Sequence, residues 1–293
     1  MKVIERKKLW FSLSIAIIVV GLIMGMIQGF NLGIDFTGGT MMQINLGKRV
    51  SVDEIRNIIS KFDLKADILH VGEEKHEIII KTKKDLNNNQ RQEIFKVFKE
   101  KYNLKDEDLR QAEQFGPSIG KEIQKKALLS IAIAALGMLI YITFRFEFKF
   151  GVSAIITLLH DIFVVLAIYA IFRIPINSSF IAAMLTIVGY SINDTIVVFD
   201  RIRENIKFMK KKNYDDIVDA SVNQTLTRSI NTSLTTLITI TALYILGVES
   251  IKEFALPLIA GTITGTYSSI FIASPIWTSW KNWEVRKGRY NAS

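Results

Sequence analysis

Four ionisable side chains sit inside stretches that are otherwise apolar: His160, Asp161, Asp194 and Arg228. A charge at membrane depth costs at least about 2.5–3.5 kcal/mol on insertion scales, so each asks for a reason. Asp194 is the sharpest case, because a carboxylate cannot snorkel far and its neighbours Tyr190, Ser191 and Asn193 form a polar patch rather than a lipid face. Arg228 has two readings of nearly equal weight, an anchor snorkelling to the interface or a partner for Asp194. It opens a polar stripe, since Asn231, Thr232, Thr235 and Thr239 follow at three, four, seven and eleven residues and share one helical face. A carboxylate poised between burial and a facing guanidinium can exchange a proton. One proton crossing the membrane releases about 2.3 kcal/mol per 100 mV, enough to bias a two-state helix arrangement.

Other chemistry is excluded. The chain has no cysteine, no G-x-x-x-x-G-K-[ST] loop, no H-E-x-x-H and no nucleophile elbow. It is therefore expected not to be an enzyme, to bind no metal and to need no cofactor beyond a proton as coupling ion. His70 and His76 are expected at a domain surface. Asp200 reads as a solvated acid at the end of its span, and Gly38-Gly39 after Asp35 as a structural turn from membrane into sheet.

The elements that must hold these residues are apolar runs longer than a soluble core needs. Of the 293 residues 49% are hydrophobic, and the charges are segregated from long uncharged stretches. The runs are 9–30, 127–144, 150–172, 179–199, 229–246 and 254–277, six in all. The first follows Lys2, Arg6, Lys7 and Lys8 and is too long for a signal peptide, so it reads as an uncleaved anchor. Gly21-x-x-x-Gly25 and Gly261-x-x-x-Gly265 read as helix-packing positions.

Between the first two runs lies a segment of soluble character. The patterning predicts strands over 40–46, 66–71, 77–82 and 109–115, with helices starting at Ser51 and spanning 87–101. That order, β-α-β-β-α-β, is the ferredoxin-like arrangement. The predicted organisation is an N-terminus with first span (1–30), a periplasmic domain (31–124), a bundle of five spans (125–280) and a basic tail (281–293).

Lys and Arg fix the orientation. Arg145, Lys149, the loop from Arg201 to Arg228, and Lys281, Arg286, Lys287 and Arg289 all fall on the side of the basic N-terminus, which the positive-inside rule makes cytoplasmic. The same placement accounts for the net charge of +9 through anionic membrane lipid, and no nucleic-acid partner is expected.

Three longer motifs carry a resemblance: Gly33-Ile34-Asp35-Phe36-Thr37-Gly38-Gly39-Thr40, Gly116-Pro117-Ser118-Ile119-Gly120, and the run from Ser191-Ile192-Asn193-Asp194-Thr195 through Phe199-Asp200-Arg201-Ile202-Arg203-Glu204-Asn205. With His160-Asp161 and Thr227-Arg228-Ser229-Ile230-Asn231-Thr232-Ser233 they make the chain similar, over nearly its whole length, to the SecF family of protein-export membrane subunits. The resemblance implies a bacterial inner-membrane protein related in fold to the resistance-nodulation-division transporters. It would pair with SecD beside the SecYEG channel and the SecA motor, and use the proton motive force to help an unfolded preprotein across. It also implies that Asp194 and Arg228 conduct protons at an interface with SecD, which fits a chain with half the spans of such a transporter. Two rivals are a half of a lipid or small-molecule exporter, and a non-transporting scaffold in which Asp194 and Arg228 form a static ion pair.

Overall fold

The computed structural model describes residues 1–72, 74–209 and 213–290. Glu73 of the turn expected at 72–75, residues 210–212 of the basic loop, and 291–293 of the tail lie outside the described residues. The chain runs through α1 (Lys7–Gln28), a single turn α2 (Ile34–Thr37), β1 (Gly39–Asn45), α3 (Val52–Ser60), β2 (Ala66–Val71), β3 (Glu77–Thr82), α4 (Asn88–Tyr102) and β4 (Leu109–Phe115). Then come α5 (Pro117–Arg145), α6 (Phe148–Ile171), α7 (Ser178–Phe208), α8 (Tyr214–Leu246), α9 (Glu249–Ser268), a π-helical turn (Ser269–Ala273) and α10 (Ser274–Tyr290). Among the described residues six helices are long and apolar enough to cross a membrane.

The small domain has the expected element order. Its sheet is antiparallel throughout, with strands in the order β2-β3-β1-β4. Local capping starts both of its helices. Ser51 accepts a bond from the Glu54 amide, and Asn87 and Gln90 form a reciprocal capping box. Alternation along the strands turns Met42, Ile44, Ile78 and Ile80 to the face covered by Ile55, Ile59, Phe95 and Phe98 of α3 and α4, and all eight are buried. Each fully buried apolar side chain contributes about 1.5–3 kcal/mol, so this layer holds the domain together. His70 is not at the surface. It is buried on β2, and Nε2 meets the Val50 carbonyl at 2.7 Å, whereas His76 is half-buried beside Glu74.

On the outer side of that layer, Lys101 and Tyr102 both donate to Glu54, at 2.8 and 2.9 Å. The Lys101 bond first, then that of Tyr102, holds the Glu54 carboxyl below the usual carboxylate range. A carboxyl with a depressed folded-state pKa stabilises above its unfolded value, about 4.3, and that contribution is lost as pH falls through the folded one. Hydrogen exchange over α3 and α4 of the Glu54→Gln chain should therefore show a shallower loss of protection on acidification than the parent.

Helix α5 begins at Pro117, so the segment expected to end at residue 124 passes into the membrane without a break. Polar contacts sort the loops to two ends of the bundle. At one end the Ile4 and Val3 amides donate to Asp219 at the start of α8, Lys149 pairs with Glu284, and Lys281 with Glu147 at 3.0 Å. At the other, the Gly33 amide donates to the Ile176 carbonyl at 2.8 Å and the α/β domain rests on the α6–α7 turn. Close helix crossings need residues without side chains. A Cβ at Gly21 would overlap Ala167, one at Gly261 would overlap Ile187, and one at Gly265 would lie 3.1 Å from Ser191. Gly25 differs, since its nearest neighbour is Phe30 of its own chain segment.

Candidate functional site

Three buried helices, α6, α7 and α9, converge on two carboxylates. Asp161, fully buried on α6, accepts three bonds: from His160 Nδ1 at 2.9 Å, from Ser191 Oγ of α7 at 2.5 Å, and from Ser268 Oγ of α9 at 2.9 Å. Asp194, on α7 and also buried, accepts from Ser269 Oγ at 2.9 Å. Bonds from neutral donors and one imidazole satisfy a carboxylate without a fixed countercharge. Because His160 donates through Nδ1, its Nε2 carries no bond to any described residue, and the ring lies against Tyr267 with centroids 6.2 Å apart.

Two features of α9 create this convergence. Gly265 lets α9 approach the Ser191 backbone, so hydroxyls from both helices reach the same Asp161 oxygen. The π-helical turn then accommodates one extra residue per turn, and the adjacent serines 268 and 269 serve different carboxylates. Sequence reasoning does not single out Ser268 and Ser269. Two neighbouring hydroxyls in an otherwise apolar run are the available signal, obscured by the habit of serines to pack helix interfaces.

Arg228 does not meet Asp194. It is exposed on α8 and borders a cavity of about 250 Å³ with Tyr141, Arg145, Phe146, Ile196, Val197 and Asp200. Asp200 is solvated as expected and lies 3.9 Å from Arg145. The physical reason is helical phase: Arg228 belongs to the α8 stripe that points out of the bundle, whereas Asp194 points in. The polar patch around Asp194 divides in the same way. Ser191 faces Asp161, Tyr190 reaches Ser233 of α8 at 3.4 Å, and Asn193 is exposed.

The outward faces of α7 and α8 are thus small and polar at membrane depth: Thr186, Gly189 and Asn193 on one, Asn231, Thr235 and Thr239 on the other. The threonines bond their own helix carbonyls, but the Asn193 and Asn231 amides have no hydrogen bond to any described residue. Hydrocarbon cannot satisfy such groups, so this face requires a polar or small-residue neighbour.

Asp35 has a definite task as well. Its Oδ2 accepts from the Ser178 amide at 2.8 Å, capping α7 from the α/β-domain side. The two glycines after it turn the chain into β1, with φ of 80° at Gly38 and 143° at Gly39.

Residues 95–283 match the family described as "Protein export membrane protein SecD/SecF, C-terminal", and residues 23–48 match the "SecD/SecF GG Motif". The chain belongs to the SecD/SecF protein-export family. It is 39% identical to the protein translocase subunit SecF of Alicyclobacillus acidocaldarius, over 97% of this chain and 94% of that one. It is 38% identical to SecDF of Bacillus subtilis over 97% of this chain but only 38% of the relative, so it spans about two fifths of the fused protein. The crystal structure of SecDF from Thermus thermophilus, described as translocon-associated, superposes with a TM-score of 0.82 at 35% identity, covering 96% of this chain and 39% of that one. The SecF relatives are translocase subunits, and this chain is a membrane protein of the same family with a role in protein export. The GG motif of the SecD/SecF family is the segment that holds Asp35, Gly38 and Gly39.

Proposed function

We propose that this chain is the SecF half of a two-half machine, completed by SecD, that uses the proton motive force to assist preprotein translocation across the bacterial cytoplasmic membrane. The observation that carries the reading is the pair of buried carboxylates, Asp161 and Asp194, held by hydroxyls on either side of the start of the π-helical turn. A carboxylate without a fixed countercharge can take up and release a proton. Each uptake changes what Ser268 and Ser269 bond to, and so biases the register of α9. His160 offers Nε2 as a further proton acceptor beside Asp161.

The outward polar face of α7 and α8 supports a SecD half as neighbour, with Arg228 presented to it rather than to Asp194. An acid on that half would give Arg228 its partner and bring it into the conduction path. The ferredoxin-like domain lies on the extracytoplasmic side and both termini on the cytoplasmic side, next to SecYEG and SecA. There the domain, with its SecD counterpart, would hold or release an emerging unfolded chain.

The test is preprotein export into vesicles holding SecYEG and SecA, with this chain and SecD present or absent and with the proton gradient imposed or collapsed. The expected result is a gradient-dependent gain that needs both halves. A gain equally large without the gradient would instead make the chain a scaffold of the channel.

A further inference from the structure

The entry segment of the α/β domain is anchored in the bundle by Phe36, buried among Val165, Tyr169, Phe180 and Leu258. The sheet itself reaches the bundle through polar contacts on α7 and α9, the helices that lead to the carboxylate site. Lys81 of β3 lies 3.6 Å from Glu253 of α9. The same Glu253 oxygen accepts from Asn177 Nδ2 at 2.7 Å, while Asn177 Oδ1 caps α7 through the Phe180 amide at 2.9 Å. Ser178, next along, is the residue that Asp35 caps. Three side chains thus tie one strand of the domain to the first turns of α7 and α9 together.

Lys252 is taken by Glu249 at 2.7 Å, and both line, with Tyr169, Tyr244 and Glu253, a cavity of about 160 Å³. Asp35 and Asp67 are the other carboxyls whose charge reaches Glu253. Lys81 is therefore the cation that meets Glu253. Both partners keep about a fifth of their side-chain surface exposed, 19% and 22%, so the pair is reachable by solvent and easily exchanged.

We propose that Lys81 and Glu253, bridged by Asn177, are positioning residues that latch the α/β domain to the ends of α7 and α9, and that the latch opens and closes as α9 shifts at the carboxylate site. Helix α9 runs from Glu253 to the serines over fifteen residues, about 22 Å along its axis, with Pro257 one turn past Glu253 freeing the Glu253 carbonyl. A shift at the serines therefore reaches the Glu253 turn through a helix that is loosened at that end. The inference rests on the ion-driven reading of Asp161 and Asp194, and adds the residues through which that movement leaves the membrane.

A carbodiimide joins a lysine amine to a carboxylate that touches it, and the Lys81–Glu253 amide can be counted by mass spectrometry in the intact chain, paired with SecD in vesicles. The yield should fall several-fold when a proton gradient is imposed, and stay constant in the Asp194→Asn chain. An unchanged yield in the parent overturns the latch. A yield that still responds in Asp194→Asn keeps the latch and removes Asp194 as its driver, which separates the two failures. Lys81→Glu and Glu253→Lys should each lose most gradient-dependent export while ATP-driven export persists, and the two together should regain it. Loss without regain in the exchanged pair, in a chain that still assembles with SecD, also overturns the proposal.

Discussion

Asp194→Asn is expected to assemble with SecD in ordinary amounts and to lose the gradient-dependent part of export altogether. The asparagine oxygen can still accept from Ser269 Oγ, at present 2.9 Å from the carboxylate, so the packed site keeps its shape. What disappears is titration. The energy scales make that decisive: a proton driven across 100 mV delivers about 2.3 kcal/mol, while a hydrogen bond to a charged group is worth about 1.5–3 kcal/mol. One proton can therefore exchange about one such bond, and no more, so a site that cannot ionise has nothing to exchange. Proton flux into vesicles, with an unfolded preprotein present, reads this directly. Asp161→Asn should give the same loss, and the double variant should be no worse than either alone, because residues acting in series are not additive. Retention of full flux in Asp194→Asn would remove the carboxylate from the path.

Gly39→Ala should unfold the junction between membrane and domain. At φ 143° the backbone occupies a region that only glycine enters freely, at a cost of about 1–3 kcal/mol for other residues. The added Cβ would also stand 2.2 Å from the Thr82 carbonyl oxygen and 3.0 Å from the Lys83 Cα. Neither is a flexible side-chain end. Relief would require β1 to leave β3, where Thr40 pairs with Thr82. Against a total stability of about 5–15 kcal/mol, loss of that pairing is a large fraction. Gly47→Ala is the control: its φ is 66° but nothing lies within 4 Å, so it should cost only the left-handed penalty of about 1–2 kcal/mol. Hydrogen exchange over β1 and β3 should collapse in the first variant, while in the second protection should fall by no more than about 5–30-fold.

Much of this architecture is legible in the order of the residues alone. Apolar length locates the six spans, and Ser51 and Asn87 announce helix starts because their side chains do a job that only helix starts offer. Positions whose meaning depends on helical phase are less legible. Arg228 and Asp194 are both polar, intramembrane and opposite in charge, yet one points outward and the other inward. His70 alternates into the core from β2 because a backbone carbonyl, invisible in sequence, awaits its ring. Ser268 and Ser269 diverge by about 100° around their helix and serve carboxylates on two different helices, and which helices stand on those two sides is not written in the local sequence. Lys81 and Glu253 are ordinary surface charges until the domain folds over α9.

The widened turn at Ser269–Ala273 has a mechanical meaning of its own. In a crystal, a plane slips not all at once but by the glide of a dislocation, one row at a time. A π turn is the one-dimensional counterpart, an inserted residue that advances along the helix by trading a single backbone bond per step. The helix on one side of it turns by about 100° relative to the other for each residue passed. A helix with such a defect at its polar centre can change which side chain it offers there without unfolding or leaving its neighbours.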